Sequence, residues 1–139
     1  MTRTGKTSEA ARGESRHYLA KAEEFLEEAR AAAAASRHDA ALLNAIHAAI
    51  AATDAVTVAL AGRRSADPDH QRAVDLLREV AGASEEVRAR ARQVSALLGK
   101  KNIGEYGSRR ATRREAADAV ERAARVVEWS RPAVHRARV

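Results

Sequence analysis

The chain of 139 residues contains no cysteine, only two prolines and seven glycines, and 3% aromatic residues. Each scarcity excludes something. Without thiols there are no disulfides and no thiolate metal sites. Few helix breakers, and no alternating runs of β-branched residues, leave helix as the favoured state almost throughout. The aromatic residues Tyr18, Phe25, Tyr106 and Trp129 are too few to form a stacking platform for single-stranded nucleic acid. No uninterrupted apolar run approaches the roughly twenty residues that span a bilayer. The N-terminal stretch MTRTGKTSEAARGES lacks the apolar centre of a secretory signal. A cytoplasmic protein without membrane contact is therefore expected.

What is abundant is alanine, five in a row at Ala31–Ala35. A chain of this length suits one domain and should bury roughly two thirds of its unfolded surface. Its core must come from Ala, Leu, Val and Ile. Small faces let helices approach closely but remove little apolar area from water, so pairing with a second copy is expected.

The apolar spacing predicts an up-and-down bundle of four or five helices, all-α in class. The first spans about Ser15 to Ala35. Ser36 and Asp39 have the spacing of a capping box that opens the second, about Arg37 to Ala61. The stripe of that second helix reads Leu42, Leu43, Ile46, Ile50, Thr53, Val56 and Leu60. Asp67 before Pro68 marks the start of the third helix, about Pro68 to Ala81. Ser84 opens the fourth, and Thr112 with Glu115 forms a second capping box that starts the last. Pro132 is expected to end or fray that helix. Residues 1–13 are expected to be a disordered tail, 14–131 a single helical domain, and 132–139 a basic C-terminal tail.

Charge is concentrated in one place. The segment KKNIGEYGSRRATRR holds Lys100, Lys101, Arg109, Arg110, Arg113 and Arg114 against Glu105 alone, six cations and one anion in a chain whose net charge is +6. Elsewhere acids and bases nearly cancel. Such a local excess beside a glycine-punctuated loop points to an anionic partner. Arg113 and Arg114 fall in the first turn of the last helix, where cations oppose the helix dipole unless an anion arrives. The glycines follow no strand and open no helix, so they are not a nucleotide fingerprint.

Glu14 and His17 have the Glu-x-x-His spacing of carboxylate-bridged metal bundles, but no second copy of the pair is present, and no metal is expected. His47 lies beside the core stripe of helix two, between Asn44 and Asp54. His70 is expected at the surface near the start of helix three.

Three stretches together resemble the HEPN superfamily of small helical bundles, which includes prokaryotic toxin ribonucleases and non-catalytic relatives. They are NAIHAAIAATDAVTVAL, the loop with DPDHQRAVDLL, and LLGKKNIGEYG followed by ATRREAADAVERAARVVEW. They cover roughly residues 40–130. The resemblance implies a HEPN-like fold and a composite site at a homodimer interface, built from an arginine, a polar residue that follows it and a histidine after four to six intervening positions. In this chain Lys101 falls in the arginine slot, Asn102 in the polar slot and Tyr106 in the histidine slot. Lysine lacks the planar two-pronged grip of a guanidinium, and tyrosine, with a reference pKa of about 10, is a poor base at neutral pH. The implied function is a non-catalytic module holding a nucleotide or RNA. Its site would comprise Lys100, Lys101, Asn102, Tyr106, Arg109, Arg110, Arg113, Arg114 and His47, with no cofactor. Two alternatives stand beside it. One is a weak metal-independent endoribonuclease with His47 or His70 as base. The other is a protein-interaction module for a nucleotidyltransferase-type partner.

Overall fold

Alanine is the strongest helix former, yet α1 (Ser15–Ala34) stops inside its own alanine run. The chain there closes into a left-handed cap: Ser36 adopts φ 60°, its N–H donates to the Ala33 carbonyl at 3.1 Å, and the Arg37 N–H donates to Ala32 at 2.8 Å. This pair of reversed hydrogen bonds satisfies the last carbonyls of a helix. Ser36 therefore terminates α1 and does not cap the next helix. The expected Ser36–Asp39 capping box is absent, because a residue committed to the left-handed conformation cannot serve as an extended N-cap. The structure, a computed structural model, describes residues 5–101, 103, 107 and 109–137.

From this tight corner α2 (His38–Ala61) runs back along α1 and forms the axis of the bundle. Fourteen of its 24 residues are buried, from Ala41 to Ala59, so it is covered on nearly every side and not along one stripe only. Leu42, Ile46, Thr53 and Val56 are buried as expected, but Leu60 is 40% exposed at the helix end. By length and composition α2 is apolar enough to cross a membrane, contrary to the expectation that no segment is, but 72% of that stretch is buried inside the bundle. The covering helices are α1, α3 (Gln71–Ala81), α4 (Glu85–Gly99) and α5 (Arg113–Arg136). Alanines at the centre, among them Ala22, Ala29, Ala45, Ala49, Ala52 and Ala123, are essentially without exposure. They let the helix axes approach closely.

The N-terminal segment is not a loose tail from Lys6 onward. β1 (Thr7–Glu9) pairs antiparallel with β2 (Arg63–Ser65), Thr7 opposite Ser65. Gly62 ends α2 with φ 65°, a conformation glycine adopts without strain. Its carbonyl accepts from the Ala10 N–H at 2.9 Å. Arg12 Nε donates to the Ala59 carbonyl at 2.7 Å, so a cation satisfies the C-terminal end of α2, where it complements the helix dipole.

α3 begins three residues later than Asp67-Pro68 suggests. Asp67 Oδ1 accepts from the Asp69 N–H at 2.9 Å, and Asp69 Oδ1 from the Gln71 N–H at 3.0 Å. Two successive aspartate turns replace the first helical turn. α4 starts as expected, with Ser84 Oγ accepting from the Val87 N–H at 3.2 Å. α5 carries the expected capping box of Thr112 and Glu115. It passes through Pro132, where it was expected to end or fray, and continues to Arg136. Burial of Ala133, Val134 and Ala137 outweighs the one backbone hydrogen bond that proline removes, so residues 132–137 belong to the bundle.

Candidate functional site

The basic segment bridges α4 and α5. Its positive charge is partly matched by acids that the linear pattern does not show. Arg109 grips Glu115 with both terminal nitrogens, each at 2.8 Å, and Lys100 Nζ approaches the same carboxylate at 3.5 Å. Hydrogen bonds from Arg109 and from the Thr112 N–H hold the Glu115 carboxyl far below the usual carboxylate range, and Glu115 in turn raises Arg109. Arg110 Nε donates to Asp39 Oδ2 at 2.9 Å, while Asp39 Oδ1 accepts from the Ala111 N–H at 2.7 Å. The Ala111 N–H, and then Arg110, lower the Asp39 pKa. Arg113 donates to Ser36 Oγ at 3.3 Å.

Asp39 is thus a long-range anchor from the first turn of α2 to the entry of α5. Asp39→Ala is expected to cost about 1–2 kcal/mol, because the half-buried Ala111 N–H loses a charged acceptor. Asp39→Asn should cost less. Chemical denaturation at pH 7 checks both. Because the folded pKa lies below the unfolded one, the difference between wild type and Asp39→Ala should vanish as pH falls below the usual carboxylate range.

The two lysines do not share one cleft. Lys100 lines a cleft of about 300 Å³ with Thr112, Arg114, Glu115 and Arg122. Lys101 lines a separate depression with His70 and Leu98. Arg122 pairs with Asp118 at 2.8 Å, whereas Arg114 pairs with no carboxylate among the described residues. Asn102 and Tyr106 lie outside the described residues.

His47 is not part of the basic segment. Its ring packs against Phe25, centroids 5.4 Å apart, and it lines a third cavity of about 250 Å³ with Tyr18, Lys21, Asp54 and Arg64. Asp54, Arg64 and Ile50 also line an adjoining cavity of about 160 Å³ that reaches His70. Burial pushes the Asp54 carboxyl up to about 7, against the opposing pull of Arg64 and Lys21. No hydrogen bond or close ion pair reaches that carboxyl from the described residues.

Sequence reasoning missed this second cluster. Its one signal was the seven-residue spacing of His47 and Asp54, which places both on one face of α2. Tyr18, Lys21 and Arg64 come from α1 and β2, and no spacing foretells them. Among the described residues no group of acids and histidines could hold a metal ion.

No curated protein and no solved structure matches the chain. One family does. The HEPN domain model matches residues 15–133, from the start of α1 to the last turns of α5. With a bundle of five α-helices over the same span among the described residues, the chain belongs to the HEPN domain family.

Proposed function

We propose that this protein is a non-catalytic HEPN module that holds a phosphate-bearing ligand, a nucleotide or RNA, on the face around the start of α5. The observation that carries this reading is the Lys100–Arg114–Arg122 cleft. Three cations line it at a helix N-terminus, where N–H groups and the dipole favour an anion. Its acids are already engaged, Glu115 by Arg109 and Lys100, and Asp118 by Arg122. A phosphate would relieve the unfavourable first-turn placement of Arg113 and Arg114. Lys101, on the neighbouring depression, extends the positive face. Two copies pair in this reading, as in the composite sites of HEPN domains.

Retention of a mixed-sequence RNA on the immobilised protein tests it. RNA should bind at low salt and be released steeply as salt rises. Arg114→Ala and Lys101→Ala should each lower the logarithmic salt slope by about 1 if each meets one phosphate. The RNA should be recovered intact. Absence of retention at low salt would refute the reading and leave an acidic protein partner, such as one of nucleotidyltransferase type, for the basic face.

A second reading rests on the depression that Lys101 and His70 share. In this reading the His70 imidazole acts as the base in place of Tyr106. RNA cleavage abolished by His70→Ala as well as Lys101→Ala would favour this endoribonuclease over the binding module.

A further inference from the structure

In the cleft between α1, α2 and β2 an acid and two bases converge on one small space without pairing. The Asp54 carboxyl offers two acceptor oxygens and meets no donor among the described residues. Beside it stand the Lys21 Nζ and the Arg64 guanidinium, each 5.9 Å from the centre of the Tyr18 ring. Both are near enough to pull on the Asp54 charge, yet neither forms an ion pair within 4 Å among the described residues. Arg64 gives one N–H to the Ser65 carbonyl at 3.1 Å, which steadies the guanidinium and leaves other donors of its fork for a ligand. The rest of the lining is flat or apolar: Phe25 and His47 packed together, with Ile50 and Ala51.

These features narrow the occupant. Two like charges beside one ring are relieved by an anion, and a buried carboxylate without partners is relieved by a cationic donor. A ligand with a single charge serves only one side. A simple carboxylate meets a like charge in Asp54, and an amine meets like charges in Lys21 and Arg64. Because the three groups are close neighbours, the two charges of the ligand must also lie close together. A free α-amino acid carries its carboxylate and its ammonium on one carbon atom, and its side chain is left to meet Phe25, Ile50 and Ala51. A cavity of about 250 Å³ is small beside drug-sized pockets. It takes a single amino acid better than a peptide, in which an amide bond removes one of the two adjacent charges.

We propose that this cleft binds a free α-amino acid with an apolar side chain, its carboxylate held by Lys21 and Arg64 and its ammonium by Asp54. The site stands on other residues than the basic face and does not depend on that face binding anything. An ionised Asp54 is the competent acceptor. Burial sets its carboxyl at about 7, so affinity should fall about tenfold from pH 8 to pH 6 as the ionised fraction shrinks. Tyr18 and Lys21 from α1, His47 from α2, Arg64 from β2, and Asp67 and His70 from the approach to α3 are the other titratable groups facing this cleft and the cavity that adjoins it.

The test is calorimetric titration of the full chain at pH 8 with three probes of one shape. They are L-leucine, 4-methylpentanoate (leucine without its ammonium) and isopentylamine (leucine without its carboxylate). Leucine should bind, and each analogue should bind at least tenfold more weakly, as loss of a hydrogen bond between charged groups implies. Asp54→Asn should weaken leucine at least tenfold and remove the pH dependence, while 4-methylpentanoate binds no worse than to wild type. Lys21→Ala should weaken leucine and 4-methylpentanoate but not isopentylamine. No binding of leucine at millimolar concentration, either analogue binding as tightly as leucine, or leucine affinity unaltered in a folded Asp54→Asn would overturn the proposal. Arg114→Ala and Lys101→Ala separate it from the basic-face reading: each should weaken RNA retention while leucine titrates as in wild type.

Discussion

Asp54→Asn is expected to stabilise the protein at pH 8 and to leave its stability nearly unchanged at pH 4. Burial raises the Asp54 carboxyl from an ordinary value of 3.8 to about 7, because a charge in that cleft gives up water without gaining a hydrogen bond. Between these two values the folded state binds a proton that the unfolded state has released. Stability therefore falls as pH rises through this window, and the penalty persists above it. Asparagine has the shape of the protonated acid and never ionises. The expected gain at pH 8 is on the order of 1–4 kcal/mol, from the size of the shift. Denaturant midpoints of both proteins, measured at half-unit steps from pH 4 to 8, check it. Parallel curves would mean that Asp54 is solvated like any surface acid. Asp39 and Glu115 act with the opposite sign: their lowered pKa values stabilise the fold above the usual carboxylate range and lose that effect as pH drops through the folded values.

Leu42→Ala is expected to lower stability by about 2–5 kcal/mol, a large share of the total for a domain of this size. Leu42 is fully buried on α2, the helix that α1, α3, α4 and α5 all pack against. Its neighbours are largely alanine, valine and leucine on rigid helices, which cannot shift far to refill the space. In a core this dependent on small residues, each large aliphatic side chain supplies an unusual share of the apolar area removed from water. Leu60→Ala is the internal control. The same substitution at a residue 40% exposed should change stability far less, within about 0.5 kcal/mol if little of the side chain packs. Thermal or urea denaturation distinguishes them. Similar losses at both positions would mean that the end of α2 is packed as tightly as its middle.

Much of this molecule is legible in its local pattern. The helical class, the burial of Leu42, Ile46, Thr53 and Val56, the Ser84 cap and the Thr112–Glu115 capping box all follow from spacing and backbone chemistry that act within a few residues. The errors occur where a local signal competes with a distant partner. Ser36 and Asp39 have the spacing of a capping box, but Ser36 closes α1 while Asp39 turns to Ala111 and Arg110, 72 and 71 residues away. Pro132 should stop a helix, but buried Ala133 and Val134 carry α5 past it. Residues 7–9 read as loose tail because a strand of three residues has no periodicity, and only β2 gives it a partner.

The same division runs through the site. The sequence by itself determined that the chain is helical, that its core is made of small residues, and that positive charge gathers between Lys100 and Arg114. Only the tertiary structure decided how that charge is distributed: Lys100 and Lys101 line different clefts, Arg109 and Arg110 are occupied by acids, and Arg114 is left unpaired among the described residues. It also brought Tyr18, Lys21, Asp54 and Arg64 together from α1, α2 and β2. Periodicity is a property of one helix and can be counted along the chain. A cleft is a property of several elements, and its chemistry exists only once packing has set their distances.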